Sequence, residues 1–190
     1  GDVGTTIAKM SFDDDPDRGR VTPIEALEAK IAELWASSGP RVRDALDNHP
    51  GLTLQPTEFR YRVSYDYDPE KFDPSAFDKV KELGLDHLIS NNCYFDVLPP
   101  GISKGPSLLR LLAHLGVPEH KCLAAGDTLN DYSMLAIGVP AVAVGGSEAP
   151  LLEALEDRDN LHRARAVGAG GILEAIAVLG LHPSPPTPGG

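Results

Sequence analysis

Apolar positions along this chain recur in two periods, and the change from one to the other marks out its elements. Ile24, Leu27, Ile31, Leu34 and Trp35 fall at helical spacing behind the start signal Thr22-Pro23 and Glu25, which predicts a helix to Ser38 with Gly39-Pro40 ending it. A shorter helical run covers Val42 to Leu46. From Phe59 to Tyr67 aromatic or aliphatic residues alternate with Arg60, Arg62, Ser64 and Asp66, the pattern of a half-exposed strand. Pro74 to Leu83 predicts another helix, closed by Gly84, and Asp86 to Ser90 and Tyr94 to Leu98 read as strands on either side of Asn91-Asn92. Ahead of these, Val3 to Met10 suits a short strand, which the acidic, Pro- and Gly-bearing stretch from Ser11 to Arg20 breaks.

Beyond Pro99-Pro100-Gly101 the texture changes. Leu108, Leu109, Leu111, Leu112 and Leu115 make a strong helix, and KCLAAGD carries an apolar strand into a loop. A short helix from Tyr132 to Ile137, a buried strand from Ala141 to Val144, and helices from Ala149 to Leu155 and Gly168 to Leu179 follow. Strand and helix alternate, which is how a parallel sheet is written in sequence. The pattern divides the chain into a strand segment at 1–13, a small α/β module at 14–98, a second α/β region at 99–181 and a Pro-rich tail at 182–190.

Composition narrows the functional classes. The 190 residues include 17 basic and 28 acidic side chains, a net charge of −11, with 42% hydrophobic residues, which fits globular rather than fibrous or disordered chains. The negative field repels polyanions, arguing against nucleic acid or an anionic membrane as partner and leaving a small ligand. No run approaches the roughly 18 apolar residues of a membrane span, and GDVGTTI lacks the layout of a signal peptide, so the expectation is a soluble, cytoplasmic protein. Cys93 and Cys122 lie in separate apolar runs and are expected to be buried, reduced thiols. The histidines show no metal-ligand spacing.

Chemistry concentrates in LAAGDTLNDYSML, Leu123 to Leu135, where a strand ends at Gly126-Asp127 and a helix begins near Asp131. Side chains at the carboxyl end of a parallel strand face the crevice where open α/β sheets bind ligands. Asp127, Asn130 and Asp131 offer only hard oxygen donors, which suit Mg²⁺; alternatively, Asp127 or Asn130 merely caps the helix. Lys104, in a loop one helix and one strand earlier, can present a compact cation to phosphate oxygens or can simply be solvated.

Lys104 with Gly126-Asp127-Thr128-Leu129-Asn130-Asp131 resembles the third and fourth motifs of the haloacid dehalogenase-like phosphatases. GDVGTTI, LTLQPTEFRYRVSYDYD, ISNNCYFDVLPPGISKG and VGAGGILEAI look like segments of their sucrose-phosphate phosphatase-like branch. The resemblance implies an α/β protein with a partial Rossmann-like core interrupted by a smaller α/β cap, the cap falling at 14–98. It also implies an aspartate nucleophile forming an aspartyl-phosphate, and a second aspartate that protonates the leaving sugar oxygen. Neither has a match: Asp13 and Asp15 follow GDVGTTI instead of preceding it and are read as a solvated loop. The chain is therefore expected to be part of a longer phosphatase.

On this resemblance Asp127 binds Mg²⁺ directly, Asn130 and Asp131 support it, and Lys104 holds the nucleophile and phosphoryl oxygens. Arg62 and Asn91-Asn92 fall where related caps face the sugar, though Arg62 also suits a surface cross-strand charge and the Asn pair a turn. The expected activity is Mg²⁺-dependent hydrolysis of a glycosyl phosphate such as sucrose phosphate or glucosylglycerol phosphate. The alternatives are an inactive sugar-phosphate-binding or regulatory module of a fused or partner glycosyltransferase, and a transferase or phosphomutase of the same superfamily.

Overall fold

The structure, a computed structural model, describes residues 1–12 and 19–184; Asp13 and Asp15 and the last part of the Pro-rich tail lie outside the described residues. The chain passes once from one compact unit, Gly1–Ile102, to a second, Ser103–Gly190.

In the first unit, β1 (Ala8–Ser11) and β2 (Arg20–Pro23) form an antiparallel pair. The strand expected from Val3 begins only at Ala8, because Val3 and Gly4 take φ values of 49° and 101° and turn the chain. Helix α1 (Glu25–Trp35) stops short of Ser38, where Ala36 and Ser37 adopt left-handed φ. Gly39-Pro40, expected as a terminator, instead opens α2 (Gly39–Ala45), since proline's missing N–H has no partner in a first turn anyway. Four more strands, β3 (Leu52–Leu54), β4 (Val63–Tyr67), β5 (Asp86–Ser90) and β6 (Tyr94–Leu98), make an antiparallel sheet in the order β3-β4-β6-β5, with α3 (Ser75–Glu82) between β4 and β5 in sequence. Trp35, Val42, Leu46, Val63, Tyr65, Val80, Phe95 and Val97 form its core. Phe59 to Arg62, expected as strand, precede β4 as irregular chain.

The second unit alternates helix and strand: α4 (Lys104–Leu115), β7 (Ala124–Gly126), α5 (Tyr132–Leu135), β8 (Ala141–Ala143), α6 (Ala149–Ala154), β9 (Leu161–Arg163) and α7 (Gly168–Val178). Its strands are parallel in the order β7-β8-β9. β8 is the central strand and is buried along its whole length, which accounts for the unbroken apolar sequence AVA. Leu112, Leu135, Val139 and Leu151 pack around it, and a wholly buried leucine such as Leu135 contributes roughly 1.5–3 kcal/mol by leaving water. Gly105 permits close packing of α4 on α5: a Cβ there would stand 2.2 Å from the carbonyl oxygen of Ser133.

The class is the expected α/β, with a parallel Rossmann-like sheet in the second unit and antiparallel sheets with helices in the first. Among the described residues no helix is long and apolar enough to cross a membrane. Both cysteines are free, but only Cys122 is partly buried, and burial pushes its thiol up. Cys93 is exposed, contrary to expectation, because it belongs to the turn before β6 and not to the apolar strand.

Candidate functional site

Strand β7 ends at Gly126, and Asp127 to Asp131 fold back over that end. Glycine is required at the turn-back: a Cβ on Gly126 would stand 2.4 Å from Cβ and 2.8 Å from Oδ2 of Asp131. The Asp131 carboxylate, 6% exposed at the residue level, organises the loop. Its Oδ2 accepts the backbone N–H groups of Asp127 at 3.1 Å and Thr128 at 3.2 Å, with the Thr128 hydroxyl donating at 3.3 Å. Its Oδ1 accepts from Lys104 Nζ at 2.5 Å, and the same ammonium donates to Asn130 Oδ1. Burial on its own would raise the carboxyl's pKa; the Lys104 ammonium and the two backbone donors outweigh it and hold Asp131 below the usual aspartate range.

Lys104 is the first residue of α4, so the helix that supplies the cation is tied directly to the loop it serves. An ammonium has three donors, and Asn130 and Asp131 take two. One donor on a side chain 29% exposed is left for an acceptor from solution. The Asp127 side chain is exposed and has no hydrogen-bond partner among the described residues, while its carbonyl accepts Glu148 N–H at 2.9 Å.

Lys104, Asn130 and Asp131 thus come together directly, and Asp127 joins them through its backbone. Among the described residues no group of three or more His, Cys, Asp or Glu side chains is placed to hold a metal. The donor chemistry at the strand end nevertheless suits Mg²⁺, which is held through one or two carboxylates and keeps several waters. Asp127 offers both carboxylate oxygens, Asn130 an amide oxygen shared with Lys104, and Asp131 oxygens already engaged.

The other sequence candidates belong to the first unit. Arg62, with its side chain 12% exposed, makes a 2.7 Å ion pair with Asp96, a carboxylate that also accepts the Ser64 hydroxyl, and lies 3.6 Å from the centroid of the Phe59 ring. Asn91 and Asn92 are exposed and both take positive φ, 51° and 50°, in a turn closed by Cys93 N–H on Ser90 C=O at 3.1 Å. Asn is among the residues that tolerate such left-handed turn positions.

Sequence reasoning missed Glu148, whose carboxylate accepts Leu129 N–H at 3.0 Å while its own N–H holds Asp127 C=O. It clamps the loop from the carboxyl end of β8. An acidic residue just before a helix and just after a buried strand was the available signal, masked by the glycines of VGGSE.

The solved sucrose-phosphatase of Synechocystis sp. PCC6803, in complex with sucrose and phosphate, shares 25% identity and a TM-score of 0.73 over 84% of this chain and 68% of its own. A sugar phosphatase of subclass IIB of the haloacid dehalogenase superfamily overlays 64% of the chain at 19% identity and a TM-score of 0.53, a likeness of fold alone. Glucosylglycerol-phosphate synthase of Pseudomonas anguilliseptica is 37% identical over 159 residues, 83% of this chain; the chain spans only 21% of that relative's length. The sucrose-6F-phosphate phosphohydrolase family matches residues 1–180. With that match running through both units, from the opening turn to the end of α7, the chain belongs to the sucrose-6F-phosphate phosphohydrolase family, within the haloacid dehalogenase superfamily.

Proposed function

We propose that this chain is part of an Mg²⁺-dependent phosphatase of a glycosyl phosphate, such as sucrose phosphate or glucosylglycerol phosphate. The observation that carries the reading is the Lys104 ammonium, fixed by Asn130 and Asp131 beside the carboxyl end of a parallel strand with one donor to spare. A phosphoryl oxygen is the acceptor that donor suits. Lys104 orients the group and stabilises the negative charge that develops on it, and Asp131 keeps the lysine aimed. Glu148 and Asp131 hold the loop so that the Asp127 carboxylate stays turned outward. Mg²⁺ bound through Asp127, with Asn130 and Asp131 in support, would neutralise charge on carboxylate and phosphoryl oxygens. The acceptor aspartate and the general acid are assigned to sequence outside this chain, consistent with the share of the sucrose-phosphatase chain that it covers.

A second reading rests on the synthase relative, of which this chain matches about a fifth: a sugar-phosphate-binding or regulatory module of a glycosyl-transferring protein. The two separate in a longer protein carrying this chain. Expected is Mg²⁺-dependent phosphate release from sucrose 6-phosphate, reduced about 10²–10³-fold by Lys104→Met. Tight substrate binding with no phosphate release, in a protein whose upstream sequence contains no Asp-x-Asp strand end, would favour the module.

A further inference from the structure

The segment 164–166, which follows β9, is wedged between the end of β8 and helix α7. A Cβ on Gly145 would stand 2.3 Å from the Arg165 carbonyl oxygen, and one on Gly171 2.4 Å from that of Ala166. The Glu174 carboxylate, on α7, fixes this segment. It accepts the Arg165 N–H at 3.2 Å on Oε1 and 3.1 Å on Oε2, and the Ala166 N–H at 3.1 Å on Oε2. Its Oε1 also lies 2.8 Å from Nε2 of His162 on β9, both side chains being partly buried. The His162 contact and the backbone donors hold the Glu174 carboxyl below the usual glutamate range, so both of its oxygens accept at neutral pH. From there the bonds continue across the carboxyl ends of the strands. Ala166 C=O accepts the Gly145 N–H at 2.8 Å, and the neighbouring Val144 N–H donates to Gly126 C=O at 3.1 Å. Glu148 N–H donates to Asp127 C=O at 2.9 Å, and Glu148 Oε2 accepts Leu129 N–H at 3.0 Å.

We infer that Glu174 is a positioning residue for the Asp127 loop, acting through the 165–166 peptide and the turn at 145–148. That turn is anchored on Gly126 and Asp127 at one flank and on Ala166 at the other, and Glu174 holds the Ala166 anchor still. A 165–166 peptide without its acceptor rotates, and its carbonyl draws the Gly145 N–H with it. The close contacts at Gly145 and Gly171 leave no slack to absorb the shift locally, so it passes to Glu148 and to the loop that Glu148 clamps. The demand is for an acceptor at this distance, not for a charge. Glutamine meets it: its amide oxygen takes the two N–H groups, and its NH₂ turns to His162 Nε2 in the accepting tautomer. Leucine has a similar volume and offers no acceptor, while aspartate keeps the charge but falls a methylene short of the amides. The inference rests on the phosphatase reading for what Asp127 does; the coupling of Glu174 to the loop stands on the hydrogen bonds alone.

Amide hydrogen exchange of the 190-residue chain, resolved residue by residue by NMR, tests the coupling in Glu174→Leu, Glu174→Asp and Glu174→Gln. Expected is exchange faster by about fivefold or more at Leu129 and Glu148 in the Leu and Asp variants, with Val142 in the centre of β8 within about twofold of the parent. Glu174→Gln is expected to return Leu129 and Glu148 to within about twofold of the parent. Unchanged exchange at Leu129 and Glu148 overturns the inference, and so does acceleration at Val142 by the same factor, which marks a general loosening of the unit. A Gln variant no better than the Leu and Asp variants overturns it too. In a longer protein carrying this chain, Glu174→Asp is expected to raise the Mg²⁺ concentration for half-maximal phosphate release from sucrose 6-phosphate by about threefold or more, with the rate at saturating Mg²⁺ nearly kept. An unaltered Mg²⁺ dependence overturns the role assigned to Glu174 at Asp127. Absent phosphate release from the parent itself counts against the phosphatase reading, and the exchange measurement still decides the coupling.

Discussion

Asp131 carries two duties with two oxygens: it closes the loop after β7 and aims Lys104. Because its folded-state pKa is lowered, its contribution to stability is fully present above the unfolded value of about 4 and is lost as pH falls through the folded value. Comparing urea unfolding of the parent chain and Asp131→Asn should show the parent more stable by about 2–3 kcal/mol at neutral pH, because the variant leaves Lys104 without its anion and weakens two buried amide bonds. The gap should narrow as pH drops below about 4; a gap that widens there would contradict the assignment.

Arg62 makes a parallel case. Removing it leaves Asp96, 3% exposed, as a buried charge with Ser64 as its remaining side-chain partner among the described residues, so Arg62→Ala should destabilise by about 3–5 kcal/mol. Arg62→Ala together with Asp96→Ala should recover much of that loss in the same melt. At this scale the sequence brought Asp127, Asn130, Asp131 and Lys104 into view but not their arrangement, because nothing in GDTLND says which carboxylate turns inward. The answer depends on Gly126, whose missing side chain makes room for Asp131.

Elements were legible in proportion to their length and periodicity. α3, β5, β6 and α7 lie within a residue or so of the segments that predict them: the two helices run up to Gly84 and Gly180, and the two strands flank the Asn91-Asn92 turn. β2, β3 and β9 were not foreseen: RVTP, LTL and LHR are too short and too polar to show a period, and only pairing with a neighbour makes them strands. Close contacts between elements were equally silent in the sequence. Gly105→Ala drives a methyl to within 2.2 Å of Ser133 C=O and should push α4 away from α5, costing about 1–3 kcal/mol and shifting Lys104 with its helix. Gly84→Ala, where φ is 72° but nothing lies within 4 Å, should cost only about 1 kcal/mol, for backbone conformation alone. Equal thermal melts for the two variants would remove the steric argument for Gly105.

For the whole molecule, each unit encloses its own apolar core: the residues around Phe95 all fall before Ile102, and those around Leu135 all after Ser103. Leu135→Ala should therefore lower the protection of β7 and β8 amides in native-state hydrogen exchange, by about 2–5 kcal/mol, and leave β4 and β6 unchanged. Uniform loss across both sheets would mean that the two cores unfold as one. The α/β class was readable because antiparallel hairpins and βα alternation pattern apolar residues differently.

That single passage between units also fixes how the chain bears a load. With Gly1–Ile102 and Ser103–Gly190 contiguous in sequence, tension applied at the two termini runs through them in series, along a connection where Gly101 N–H is gripped by the Asp86 carboxylate at 2.7 Å. Neither fold can shield the other from the force. Pulled in an optical trap, the chain should lengthen in two separate steps of roughly 350 and 300 Å, about 3.5 Å for each residue released, with the order set by which sheet yields first. Short parallel strands of three residues, β7, β8 and β9, offer fewer rungs than the five-residue pairing of β5 with β6, so the smaller step should come at the lower force.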